Sequence, residues 1–338
     1  MLRVERLGVI IKPNYETLFE RLQTFNPGVY YDERRDVVHI FPRVQCSYSP
    51  YTAKIMWYVA DLSNGVENLK KPKRVKDYPI FGPSEVYHWA GTEDPRVVKA
   101  RITNDDYLIM TYTAVETFHP LRHRVGVAYV KAEDIESLKP SVAFSPLGVT
   151  EYINDKDAFY FITKDGQVYY IHRPAGVFAR ACMWVSELEK SKIHDMESLK
   201  DLLKMKDPKV FVKARFWWEN DKIGAGAPPL ATDSGYLWIY HGVQYFGVGR
   251  IYRAGVFLTD LREPLKVIAR LPKPLLEPKE PYEKWLDVPY VIFPTGAFIR
   301  DDFLYIIYGA CDTVVVAARV RLDELLSELD KHHEEDIN

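Results

Sequence analysis

Four short segments of this 338-residue chain carry side chains able to do chemistry. The first, GTEDPR at 91–96, places two carboxyl groups, Glu93 and Asp94, side by side at the entry to an apolar strand. Carboxyl groups donate and accept protons, and a pair can divide those roles. On a regular strand, however, consecutive side chains point to opposite faces, so Glu93 and Asp94 are not expected to act as one pair. One is expected to face the interior while the other takes backbone or Arg96 as its partner. The second segment, KIGAGAPPL at 222–230, has glycines that let backbone approach a ligand, but lacks the G-K-[ST] ending of a nucleotide loop. YHGV at 240–243 follows it and closes an apolar strand with His241. The third, GACDT at 309–313, sets Asp312 directly after an apolar strand, and the fourth is YIHRP at 170–174. The two histidines of HPLRH at 119–123 lack a third ligand, so no metal site is expected there. Taken singly, each segment also reads as an ordinary turn or strand end.

Strands must position these groups, and strand signals come in clusters. Val37–Phe41 with Lys54–Val59 form one; Val97–Ala100, Tyr107–Ala114 and Arg124–Val130 form the next. Ala158–Thr163, Val168–His172 and Ala181–Ser186 follow, then Tyr236–Val243, Ile251–Leu258 and Val267–Arg270. Val288–Ile299, Phe303–Gly309 and Val314–Val320 complete the set. Turn residues such as Asn104-Asp105-Asp106 and Lys164-Asp165-Gly166 separate them. Five clusters at a period of roughly 50–65 residues predict an all-β five-bladed propeller around a channel, with a pair of β-sandwiches as the alternative. Residues 1–338 read as one domain. A C-terminal helix at about 321–332 is predicted from the apolar face of Leu322, Leu325, Leu326 and Leu329, and Met196–Leu203 as a short second helix. The terminal helix could pack on its own propeller or on a neighbouring copy, so a homo-oligomer is admitted. KKPKRVK at 70–76 reads as a solvated loop.

Composition narrows the function. A formal charge of -2 gives no basic field for nucleic acid. No long uncharged apolar run predicts a membrane span, and the charged N-terminus is unlike a secretion signal. Three widely spaced cysteines predict a reducing, cytoplasmic setting. Tyr 23, Phe 16 and Trp 7 suit packed sheets, and flat rings also suit the C–H face of a sugar.

In combination and order, the segments resemble glycoside hydrolase family 130, the β-mannoside phosphorylases and related hydrolases. FNPG at 25–28, GTEDPR, Lys156-Asp157-Ala158, HRP at 172–174, KIGAGAPP, YHGV, YRAG at 252–255, Val288-Pro289 and GACDT carry the resemblance across residues 25–326. It implies a five-bladed propeller with its site on the central axis. It implies Asp94 as general acid and Arg124, Lys156, Arg173, Lys222 and His241 as the basic groups around phosphate. Asn26, Arg43 and Asp312 would hold the mannosyl unit, with Glu93 and Asp157 as further substrate contacts. YTAKIMW at 51–57 departs from the family pattern, which leaves the acceptor sugar and the linkage open.

That residue set fits phosphorolysis. Inverting hydrolysis needs two carboxyl groups, an acid and a base for water. Phosphate brings its own negative charge and needs one acid plus a cationic cradle, with Arg for two-point contacts and Lys as a compact charge. The expected reaction transfers a mannosyl unit from a β-manno-oligosaccharide to inorganic phosphate, with inversion, giving α-mannose 1-phosphate. Phosphate is then a co-substrate, and no cofactor is expected. A mannoside hydrolase and a non-catalytic glycan-binding propeller are the alternatives.

Overall fold

The computed structural model describes residues 2–175, 182–188, 193, 195–247 and 249–333. Its strands form five antiparallel sheets, the blades of a propeller. Blade I runs outward as Gln23–Asp32, Val37–Gln45, Tyr58–Asp61 and Lys73–Arg74, with Lys54–Ile55 also on the second strand. Blade II is Gly91–Ile102, Asp105–Phe118, Leu121–Lys131 and Ser145–Val149. Blade III is Asp155–Ile162, Val168–Pro174, Cys182–Leu188 and Met205–Lys213. Blade IV is Lys222–Ala225, Gly235–Phe246, Gly249–Thr259 and Val267–Arg270, with Leu230–Thr232 resuming its inner edge. In blade V, Ile292–Arg300, Phe303–Ala310 and Val314–Arg321 are joined by the N-terminal strand Val4–Ile11.

That last pairing closes the ring. Val4 lies opposite Val320 and Ile11 opposite Val315, so backbone hydrogen bonds tie the two ends of the chain together. Closure removes the open edge that a strand like Val314–Arg321 would otherwise present.

Each blade packs both faces against neighbours, which explains apolar runs where a half-exposed sheet would alternate. In Phe303–Ala310, Leu304, Ile306 and Tyr308 face the core shared with blade IV, while Tyr305 and Ile307 face the core shared with blade I. The buried apolar residues form five such clusters, one at each blade interface.

Among the strands not predicted are Val4–Ile11 at the outer edge of blade V and the inner strands Gln23–Asp32 of blade I and Lys222–Ala225 of blade IV. Lys54–Val59 splits into Lys54–Ile55 and Tyr58–Asp61, and Met196–Leu203 forms only a 3-10 turn at Ser198–Leu203. Of the third cluster, Ala181 lies outside the described residues. The terminal helix is Leu322–Asp330, and Leu325 and Leu329 are fully buried in the core between blades IV and V. The helix therefore packs on its own propeller. Leu325→Ala should lower stability by about 2–5 kcal/mol; an unchanged thermal midpoint would mean the helix does not seal that core.

Candidate active site

The inner strands of blades I, II and III share one irregularity. Between Phe25 and Gly28, between Glu93 and Arg96, and between Lys156 and Phe159, pairing slips by one residue. At each slip one residue has positive φ: Asn26 at 41°, Asp94 at 49° and Asp157 at 51°. Apart from glycine, Asn and Asp are the residues that best tolerate this left-handed backbone. The extra residue re-aims its side chain. Strand alternation fails at this point, and Glu93 and Asp94 both reach Arg43, at 2.8 and 3.0 Å. The expectation that the two carboxylates face opposite ways is thus corrected by the bulge.

A cavity of about 170 Å³ opens where the bulges meet. Asn26, Arg43, Glu93, Asp94, Lys156, Asp157, Arg173, Lys222, His241 and Asp312 line it, with Tyr252, Val288, Val291 and Phe293. Arg124 is not part of this wall. It sits opposite Ala114, while its neighbour His123 lines an adjoining cavity. Alternation along the regular strand Leu121–Lys131 puts the two side chains on opposite faces, which removes Arg124 from the expected cation set.

One half of the cavity is acidic. Asp94 accepts hydrogen bonds on Oδ1 from Asn26 Nδ2 at 2.9 Å and Arg43 Nη1 at 3.0 Å, which leaves Oδ2 free of both. Arg43 also donates to the Tyr51 hydroxyl and lies 4.6 Å from the centre of the Phe25 ring. Gly309 makes room for Asn26: a Cβ there would stand 1.9 Å from the Asn26 Oδ1. Burial raises the Glu93 carboxyl above its usual range, against the pull of Arg43. Burial likewise lifts Asp312 to about 6, with Arg43 opposing and Asp94, Asp287 and Glu93 adding to the rise.

The other half is basic and organised around Asp157. Arg173 donates to Asp157 at 2.7 Å, His241 Nε2 lies 3.5 Å away and Arg96 3.7 Å. Burial alone would raise the Asp157 carboxyl, but the cations Arg173, Lys156 and Arg96 outweigh it and hold the group well below the carboxylate range. Lys222 is lowered to about 8 by burial and by the like charges of Arg173 and Lys156. Burial drives His241 down to about 3 despite Asp157. It therefore enters the site as a neutral imidazole rather than as the basic group expected. His172, by contrast, is a satisfied core histidine, bonded to Asp155 at 2.8 Å and Ser186 at 2.9 Å.

A proton-donating carboxyl facing a cluster of cations suits transfer of a glycosyl group to an anion. The profile of glycoside hydrolase family 130, described as beta-1,4-mannooligosaccharide phosphorylase, matches residues 3–331. The chain belongs to this family. A 1,2-beta-oligomannan phosphorylase of Thermoanaerobacter sp. (strain X514) is 27% identical over 96% of this chain and 99% of its own length. A beta-1,2-mannobiose phosphorylase of the same organism is 29% identical over the same shares. The fold matches that of a beta-1,2-mannobiose phosphorylase from Listeria innocua in complex with beta-1,2-mannobiose. The TM-score is 0.77 at 21% identity, covering 98% of this chain and 100% of that one.

Within this family 130 propeller, several site residues lay outside the sequence reading. Tyr252 opens the YRAG motif and Tyr51 the YTAKIMW segment, but neither was assigned a role, and nothing in the sequence marks Phe293. Arg96 is more informative. Fully buried, it donates to the carbonyls of Asp94 at 2.9 Å, Ala225 at 3.1 Å and Gly226 at 3.3 Å. It thereby ties the acid-bearing bulge of blade II to the glycine segment of blade IV across the axis.

Gly224 in that segment has a steric role. A Cβ there would lie 2.5 Å from the His241 ring and 2.9 Å from Asp157 Oδ2. Gly224→Ala is expected to push His241 off Asp157, visible in a crystal structure, and to cut turnover by about 10²-fold or more, as small misplacements in reactive geometry do. An undisturbed His241 with full activity would contradict this account.

Proposed function

We infer that this protein is an inverting β-mannoside phosphorylase. It transfers the mannosyl unit of a β-manno-oligosaccharide to inorganic phosphate and yields α-mannose 1-phosphate and a shortened sugar. The observation that carries the reading is the division of one cavity into an Asp94 half and a cationic half. Phosphate sits among Lys156, Lys222 and Arg173, with neutral His241 as a hydrogen-bond donor. A phosphate oxygen attacks C1 as the C1–O glycosidic bond breaks, and the departing oxygen takes its proton from Asp94. Asn26 and Arg43 occupy Oδ1, so Oδ2 is the atom that carries that proton. The mannosyl unit lies between Asn26, Arg43, Glu93, Asp157 and Asp312.

The cations favour phosphate over water as the acceptor. Lys156 and Lys222 share a half-closed space with Arg173, and the Lys222 ammonium is 3.9 Å from its acidic neighbour Asp221. Gathering like charges there is unfavourable unless an anion completes the set. The relatives named above are phosphorylases of beta-1,2-linked mannosides, whereas the family profile is described for beta-1,4-mannooligosaccharides, so the mannosyl unit and phosphate are the elements held in common. The family also includes hydrolases, as a neighbour with TM-score 0.66 illustrates. It was solved in work stating that the family contains glycoside hydrolases that target beta-1,2 mannosidic linkages in Candida mannan. Three unpaired cysteines fit work in the cytoplasm; the proposed reaction takes phosphate as co-substrate, calls for no cofactor and is carried by one catalytic domain.

The test is incubation with β-mannobiose, with and without phosphate. Mannose 1-phosphate should form only with phosphate; free mannose formed without it would select hydrolysis. Asp94→Asn should lower turnover about 10²–10⁴-fold while the fold persists, and full activity in that variant would remove Asp94 from its role.

The pH dependence follows from Lys222. Its ammonium is charged below about 8 and lost as pH rises through that value. The kcat/KM for phosphate should therefore fall roughly tenfold between pH 7 and pH 9. Lys222→Arg, which stays protonated, should flatten that limb; an identical fall in the variant would assign it to another group.

A further inference from the structure

Beside the catalytic cavity lies a second one of about 500 Å³, and the two share Arg43, Glu93 and Lys156. Its far wall comes from the tip of the blade II hairpin, where Phe118 and Leu121 present apolar surface and His123 lines the floor. Phe118 stands edge-on to Tyr51, with ring centres 5.2 Å apart, and Tyr51 in turn receives a hydrogen bond from Arg43. An apolar wall beside a few polar groups is what a hexose requires, a C–H face against a ring and hydroxyls against donors and acceptors.

His123 is the group this arrangement leaves without a use. Its side chain is 8% exposed, and neither ring nitrogen has a hydrogen-bond partner among the described residues. A buried polar group left unsatisfied in this way is destabilising, which asks for an explanation at each site where it occurs. Burial, together with the charge of Lys156, holds its pKa down to about 4. At neutral pH one nitrogen therefore donates and the other accepts. That is the complement of a sugar hydroxyl, which also does both.

We propose that His123 determines which leaving sugar the enzyme accepts, by hydrogen-bonding a hydroxyl of a hexose seated against Phe118 and Leu121 in this second cavity. This rests on the phosphorylase reading above, because the acceptor sugar is tested by running that reaction in reverse. His123 acts on the sugar that departs with the proton of Asp94, not on the mannosyl unit or phosphate. The cavity shares its boundary with Glu93 and Arg43, so a sugar there abuts the bond being cleaved.

The reverse reaction separates the two sugars, since mannose 1-phosphate and the acceptor are added independently. Wild type, His123→Leu and His123→Gln are compared with mannose 1-phosphate and mannose or glucose as acceptor. His123→Leu should raise the acceptor KM at least about tenfold, as loss of a buried hydrogen bond does, and shift the mannose-to-glucose preference. The KM for mannose 1-phosphate should change far less. His123→Gln keeps one donor and one acceptor and should recover part of the acceptor affinity. Equal rises in both KM values, no rise in either, or a Gln variant no better than Leu would overturn the proposal. Failure of the wild type to make any mannoside from mannose 1-phosphate would instead overturn the phosphorylase reading, and this assignment with it.

Discussion

One extra residue in an inner strand governs the chemistry of this propeller. A regular strand can offer the axis only every second side chain. The slips at Asn26, Asp94 and Asp157 break that rule at equivalent places in three successive blades. Each turns a short polar side chain toward the centre without displacing its neighbour, so Glu93 and Asp94 share Arg43, and Lys156 and Asp157 line the same wall. The left-handed backbone also restricts residue type. Asn and Asp tolerate it, and they are also the side chains that a proton-transfer and ion-pairing site can use.

Given the bulges, the balance of charge follows from Asp157. Arg173, Lys156 and Lys222 converge on one space, and without a counter-ion their mutual repulsion would oppose the fold. The buried Asp157 carboxylate holds Arg173 directly and lies near His241 and Arg96. Lys222 still carries the strain, because its pKa falls well below that of a free lysine. On the proposed function, an incoming phosphate dianion would relieve that repulsion. On the acidic side Arg43 plays the matching part for Glu93, Asp94 and Asp312.

The scaffold contributes rigidity. Five apolar cores, one per blade interface, leave the inner strands little freedom, and the N-terminal strand completes the last blade. Arg96 adds a polar link across the axis where side-chain packing alone would leave the two blades independent.

Much of this was readable from the sequence, because the relevant information is local. Short apolar runs and Asx-rich turns marked four of the blades almost whole, and short ordered motifs marked the axis residues from Asn26 to Asp312. Where sequence reading failed, the cause was non-local. The strand Val4–Ile11 has no mark of its own as part of blade V, since its partner is more than three hundred positions away. Arg124 was placed by the family resemblance, but its facing depends on strand register, which sends His123 inward in its stead. His241 looked basic until its burial was known. Residue types thus determined which chemistry this chain can carry. Only the packed ring decided which side chains meet, because register, bulge and burial are properties of neighbours that the linear order does not bring together.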